Sequence, residues 1–324
     1  MARELGISYS SVSRALSNKE GVSKETRKKV LKEAKRIGYR PNQLARELVT
    51  KQSNTIGVII PDILNPFFAE IAKGILEEAS IKGYTALLCV TNWDVQLEKK
   101  YIKNLEEKRV EGIIIKPCED EQKLEDSINT PYVILEGNNV NSAHSCVEVD
   151  NEKGGYIGTK HLIECGYRKI AYVGGKKYAY SNEKRLKGYK RALAENNIDL
   201  DENLILSGEF DSKSGYELAK TALADNPHID GIFCGNDVMA LGVLHYANQA
   251  GINIPEELGV VGFDDISYAS LPQIELTTVY QPKYNLGKLA VNTLLDDIKE
   301  GKEKTLKRII LQPDLIKRKT TRKI

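Results

Sequence analysis

The residues with the most chemistry in this 324-residue chain follow short apolar runs. Asn65-Pro66-Phe67-Phe68 comes after TIGVII; Arg185 lies in KRLKGY, Phe210 in GEFDS, Asn236 and Asp237 in CGNDVMALG, Asp264 in VGFDD and Gln281 in VYQP. A monosaccharide has apolar C–H faces and a rim of hydroxyls. It is held by aromatic plates above and below, with amides, carboxylates and a guanidinium around its edge. Phe68, with Phe67 beside it, and Phe210 have the types for plates; Asn65, Arg185, Asn236, Asp264 and Gln281 have the types for the rim. Taken singly, each has a plainer reading: a lone Phe as core, Asp264-Asp265 as a turn cap, Arg185 as a solvated helix residue. Their recurrence at the ends of successive runs is what points to a binding cleft.

Such residues need a frame. From Thr55 the apolar runs TIGVII, YTALLCV, GIIIK and YVILE alternate with helical periods over Phe67–Lys82 and Asp94–Lys108. After Asp150 the rhythm restarts with Gly154–Cys165, KIAYVGG, Glu183–Asn196, GIFCG, Asp237–Ala250 and LGVVGF. Strands apolar on both faces and separated by helices predict an α/β fold of doubly wound parallel sheets, here in two lobes. Ligands of such sheets sit beyond the carboxyl ends of the strands, where the residues above fall.

The first 53 residues differ in character. They carry 13 Lys/Arg against 5 Asp/Glu, whereas the rest of the chain carries 34 against 40, so only the N-terminal segment suits a polyanion. Gly6 breaks a first helical stretch, and Ser8 is placed to cap a second over Tyr9–Ser17 that buries Val12, Ala15 and Leu16. Ser8, Tyr9, Ser10, Ser13 and Arg14 are left to face outward. A third helix runs from the Ser23 cap with Val30, Ala34 and Ile37 on one stripe and stops at Gly38. This is a helix-turn-helix in which the second helix enters the major groove of double-stranded DNA and Arg14 forks onto guanine or phosphate.

The segments ISYSSVSRALSN, GVSKETRKKVLKEAKRIGYRPNQLAREL and TIGVIIPDILNPFF resemble the lactose/galactose repressor family of bacterial transcription regulators, and the likeness runs to about residue 316. The resemblance implies a head over 1–41, a hinge helix over 42–53 and a two-lobed effector and dimerisation core over 54–316. The first lobe takes about 54–150 plus 282–316 and the second about 151–281, followed by a disordered basic tail over 317–324. It also implies that Asn42, Ala45 and Leu48 act at the DNA, with Ala45 facing a partner hinge and Leu48 wedged into the minor groove. A homodimer on a near-palindromic operator follows, with Phe67–Ser80 and Ala240–Ala250 as candidate dimer helices and a small sugar between the lobes as effector. Family members begin several residues earlier, so the first helix is expected to lack its cap here. The core resembles periplasmic sugar-binding proteins of the ribose type. Where that pattern has an Asp-Arg pair after the fourth strand, this chain has Glu136-Gly137, so Glu136 joins the rim while the missing Arg speaks against ribose.

Other chemistries lack their residues. There is no phosphate loop or GxGxxG, so no nucleotide cofactor is expected, and His144, His161, His228 and His245 have no metal-ligand spacing. The five cysteines, Cys89, Cys118, Cys146, Cys165 and Cys234, contain no CxxC and read as buried thiols. No run of about 18 apolar residues exists for a membrane span, and the first residues lack a secretory layout, so a cytoplasmic regulator is expected, with no membrane partner. No acid, base and nucleophile set accompanies Asp237 and Asp264, which disfavours a sugar-converting enzyme; the other alternative is a catabolite-control regulator with a phosphoprotein co-repressor.

Overall fold

The computed structural model describes residues 1–16, 20–39, 53–118, 128–137, 144–301 and 305–323. These fall into two units, Met1–Ser53 and Asn54–Ile324. In the first, α1 (Ala2–Leu5), α2 (Tyr9–Leu16) and α3 (Lys24–Arg36) pack Ala2, Val12, Ala15 and Val30 together. Gly6 ends α1 at φ 62, a left-handed conformation that a residue with a Cβ enters only at a cost. Ser8 Oγ accepts from the Ser11 amide at 3.1 Å and Ser23 Oγ from Thr26 at 3.1 Å, so both hydroxyls satisfy helix-terminal donors. Ile37, expected on the buried stripe, is 42% exposed because it lies beyond the last turn of α3.

The second unit is built on two sheets. Strands β1 (Thr55–Ile60), β2 (Thr85–Val90), β3 (Gly112–Ile115), β4 (Tyr132–Leu135), β5 (Ser145–Val149) and β11 (Arg308–Leu311) form one, in the order β11-β5-β4-β3-β1-β2, every pairing parallel. Strands β6 (Ile170–Gly174), β7 (Ile205–Ser207), β8 (Gly231–Cys234), β9 (Gly259–Asp264), β10 (Thr277–Tyr280) and β12 (Asp314–Ile316) form the other, in the order β12-β10-β9-β8-β6-β7, with only β12 antiparallel. β1, β3, β4, β6, β8 and β9 are buried almost throughout, as apolar runs between two helical layers must be. In each lobe the strand order reverses beside the first strand, which opens a crevice at the carboxyl ends.

Helices α4 (Pro66–Ile81), α5 (Val95–Glu107) and α10 (Lys283–Glu300) serve the first sheet; α6 (Asn151–Glu164), α7 (Tyr180–Glu195), α8 (Ser212–Asp225) and α9 (Asp237–Ala250) serve the second. α4 and α10 cross closely because Gly74 and Gly287 face backbone: a Cβ there would lie 2.3 Å from the carbonyl oxygens of Tyr284 and Ile71 respectively. The chain passes from the first sheet to the second after β5, returns after β10 and leaves again after β11.

That last passage corrects two expectations. Residues 314–316 belong to the second sheet, not the first lobe. The basic end is not a disordered tail: Thr320 and Thr321 are each 3% exposed. Thr320 pairs through its backbone carbonyl with the Val260 amide (2.8 Å), and its Oγ1 donates to the Val260 carbonyl (2.7 Å) while accepting from the Thr277 amide (2.9 Å). Arg318 donates to Asp265 Oδ1 at 2.7 Å and to the Leu276 carbonyl at 2.8 Å. The charges project from a segment whose threonines continue the sheet's bonding. Truncation after Ile316 removes these five bonds at about 1 kcal/mol each, so we expect on the order of 5 kcal/mol and roughly 10 °C in Tm to be lost. Unchanged melting by calorimetry would contradict this.

Cys146, Cys165 and Cys234 are buried as expected, but Cys89 and Cys118 are half-buried, because β2 is an edge strand and Cys118 lies in the loop past β3. Burial still pushes the Cys118 thiol up to about 12. No helix among the described residues is long and apolar enough to cross a membrane, and no three metal-binding side chains cluster among them.

Candidate effector cleft and DNA-binding head

A narrow cleft with a cavity of about 40 Å³ opens at the carboxyl ends of both sheets, lined by Asp62, Asn65, Phe67, Phe68, Trp93, Lys116, Glu136, Ser181, Arg185, Phe210, Asn236 and Asp264. Eight of the nine residues singled out above are there; Gln281 is not. It is fully buried behind the lining, and its Nε2 donates to Asp264 Oδ1 at 2.6 Å, so it orients the carboxylate.

Two asparagines start helices. Asn65 Oδ1 accepts from the Phe67 amide (3.0 Å) at the head of α4, where Pro66 supplies a φ suited to the first turn. Asn236 Oδ1 accepts from the Met239 amide (2.8 Å) at the head of α9. With both oxygens committed, ligand contact falls to the NH₂ groups, and that of Asn236 already places one donor on the Phe210 carbonyl at 3.4 Å. Acceptors come from carboxylates. Glu136, at φ 51 after β4, is 4% exposed, and its Oε1 has no hydrogen-bond partner among the described residues. Lys116 after β3 donates to the Glu136 carbonyl at 2.8 Å and stands 3.9 Å from its Oε2.

Arg185 is pinned from three sides. Its Nε donates to Asn151 Oδ1 (2.7 Å), its Nη1 to the Gly235 carbonyl (2.5 Å), and its guanidinium lies 3.8 Å from the Phe263 ring centre. Nη1 is also 3.9 Å from Asp264 Oδ1. Burial pushes the Asp264 carboxyl up to about 7; Arg185 and Lys283 oppose that rise, Glu136 adds to it, and the bond from Gln281 opposes it. Asp237 is raised well above the usual carboxylate range, chiefly by burial and then by Asp264. It accepts from Thr278 Oγ1 (2.5 Å) and from the Ile266 amide (2.8 Å), so it braces the Asp264 loop from inside the lobe.

The aromatic wall departs from expectation. The ring stacked on Phe210 is Trp93, with centroids 6.3 Å apart and 22° between planes; Phe68 meets Trp93 edge-on at 6.1 Å and Phe67 edge-on at 5.0 Å. Phe210 is seated by Gly175, where a Cβ would lie 2.2 Å from the ring. Trp93 escaped the sequence reading because Asn-Trp-Asp looks like a helix start. In the structure Asn92 (φ 51) and Trp93 (φ 62) are both left-handed, a turn costing about 1–3 kcal/mol that aims the indole into the cleft. Asp62, Lys116, Ser181 and Asn151 were also missed; no local pattern sets them apart, and only the juxtaposition of strand ends brings them in.

In the first unit Ser8, Tyr9, Ser10, Ser13 and Arg14 are all exposed around α2, with Tyr9 at 77%, while Val12 and Ala15 face inward. Asn42, Ala45 and Leu48 lie outside the described residues.

Residues 1–42 match the family described as bacterial regulatory proteins, lacI family, and residues 159–321 match a periplasmic binding protein-like domain. The ribose operon repressor of Halalkalibacterium halodurans is 36% identical over 322 residues, covering 99% of this chain and 96% of that protein. This chain belongs to the lacI family of bacterial regulatory proteins. The HTH-type transcriptional repressor PurR of Photobacterium profundum is 33% identical over 327 residues, covering 99% of this chain and 97% of its own. Among solved structures, the lac repressor dimer bound to operator and the anti-inducer ONPF aligns with a TM-score of 0.90 at 28% identity, covering 99% of this chain and 98% of that one. This lacI-family member is therefore a DNA-binding transcription regulator and not an enzyme, and its second unit has the architecture of periplasmic binding proteins.

Proposed function

We propose that this regulator is a repressor acting as a cytoplasmic homodimer on a near-palindromic operator, with affinity set by one small sugar held between the lobes. The observation that carries this reading is the composition of the cleft: aromatic rings on one side, and NH₂ donors, carboxylates and a fixed guanidinium on the others, joined in one chain to a lacI-type head. Phe67, Phe68 and Phe210 face the C–H surfaces; Asn65, Glu136, Arg185, Asn236 and Asp264 take the hydroxyls. At the DNA, Ser8, Tyr9, Ser10, Ser13 and Arg14 read the major groove, and Asn42, Ala45 and Leu48 work in the hinge. Sugar bound at the ends of both sheets biases lobe closure and so the pairing of two hinges, a coupling typically worth about 1–3 kcal/mol.

The test selects genomic fragments with purified protein and then titrates pentoses and hexoses against the melting temperature and fragment affinity. One sugar should raise Tm and shift affinity by about 5- to 150-fold. Arg14→Ala should weaken the selected fragment by about 1–3 kcal/mol while leaving sugar binding unchanged. No response to any sugar, with DNA binding gained on adding a phosphorylated carrier protein, would replace this reading by the catabolite-control one.

A further inference from the structure

We propose that Trp93 is the specificity-determining plate of the cleft, limiting it to a single sugar ring; the proposal rests on the sugar reading above. Trp93 reaches across the cleft from the loop after β2 of the first lobe, and the groups it meets on the other side belong to the second. Its ring stacks on Phe210, and Lys176 Nζ lies 5.3 Å from its centroid. The indole is half-buried, so it both lines the cavity and reaches solvent.

The turn that carries it is fixed at both ends. The Thr91 amide donates to the Ile60 carbonyl (3.0 Å), the Asp94 amide closes the turn onto the Thr91 carbonyl (2.9 Å), and Asp94 Oδ1 caps α5 through the amides of Gln96 and Leu97 (2.7 and 3.1 Å). Two consecutive left-handed residues make the kind of turn in which glycine usually takes the second place. A tryptophan there is tolerated because its ring has partners, and the fixed turn leaves it little room to move aside. The cavity it bounds is only about 40 Å³, well below the roughly 300 to 1,000 Å³ of ligand sites, so with the indole in place the cleft has no spare room beside it. A second sugar ring extending past Phe68 and Phe210 would need the volume the indole occupies.

Trp93→Gly removes the ring and gives the turn the residue its backbone favours, so the variant should fold with an unchanged or higher Tm. Trp93 is the one tryptophan of the chain, and its emission reports on the stack directly. In the full-length ligand-free protein we expect emission shielded from iodide, and loss of that shielding in Phe210→Ala. D-ribose, D-xylose, D-glucose, cellobiose and maltose are then titrated by calorimetry against wild type and Trp93→Gly. A monosaccharide that binds wild type should lose about tenfold in the variant, as expected for a lost aromatic contact, while a disaccharide gains a similar factor. Equal quenching in wild type and Phe210→Ala overturns the stack. An unchanged ranking of sugars in Trp93→Gly overturns the selectivity and leaves the sugar reading standing. Binding of no sugar by either protein overturns the sugar reading and the selectivity with it.

Discussion

Arg185→Met is expected to weaken effector binding by about 100-fold and lower the melting temperature together. The guanidinium is 3% exposed and serves three acceptors at once: Asn151 Oδ1, the Gly235 carbonyl and the Asp264 carboxylate. Methionine fills similar volume but donates nothing, so two buried acceptors lose their donor and Asp264 loses the cation that most opposes its protonation. Removing one partner of a buried pair costs about 3–5 kcal/mol, and protonation of Asp264 relieves part of that, so about 3 kcal/mol is expected, or roughly 8 °C in Tm. Charged hydrogen bonds contribute about 1.5–3 kcal/mol each, so sugar affinity should fall by about 100-fold. Arg185→Lys should rescue little, because an ammonium cannot direct donors along a planar fork toward Asn151 and Gly235 while lying flat on Phe263. Sugar affinity within a few-fold of wild type, measured by titration calorimetry, would remove Arg185 from the site.

Between pH 5 and 7 sugar affinity should climb with pH. Asp264 in the folded, ligand-free core titrates near 7, against 3.8 for its ordinary value, so below 7 it is mostly protonated. Sugar hydroxyls donating to it favour the carboxylate, and binding at pH 6 therefore releases a proton. Linkage then gives a rise of up to about tenfold per pH unit, flattening above 7. The same displacement acts on stability with the opposite sign. Below pH 3.8 both folded and unfolded chains hold this proton. As pH rises from there to about 7 only the unfolded chain gives it up, so this carboxyl's contribution to stability is lost across that window. Asp264→Asn should flatten the affinity profile and lessen the loss of stability over the same interval. Proton release measured in two buffers of different ionisation enthalpy checks the first point, and melting curves from pH 4 to 8 check the second. Affinity independent of pH in wild type would show that the ligand does not address Asp264.

The likeness to the lacI family, the two-lobed α/β core and the outward set of α2 were legible in the amino-acid order because each rests on local rules. Apolar runs of four to six residues make buried strands, hydroxyls cap helices, and a glycine turn separates two short ones. The cleft was legible in the same way where a ligand position coincides with a strand end or a helix cap. Asn65 and Asn236 are caps, Asp264 ends β9, and Glu136 follows β4. Elements with weak patterns escaped: the strands β5, β7, β10, β11 and β12 and the helices α8 and α10, and with them the return of the chain to the second sheet.

Four features depended on the folded arrangement. Gln281 differs from the cleft residues only in depth, which pairing of β10 with β9 sets. Lys116 and Asn151 acquire their roles from neighbours 20 and 34 residues away in the chain. The terminal Lys/Arg cluster looks like solvated tail until Thr320 is found bonded to Val260, 60 residues upstream. Trp93 meets Phe210 because the first lobe's left-handed turn points it at a ring that Gly175 seats in the second. Propensity and periodicity act over a few residues and specify strands, helices and caps. Depth, orientation and partnership across lobes are properties of contacts between segments far apart in the chain, and no local pattern encodes them.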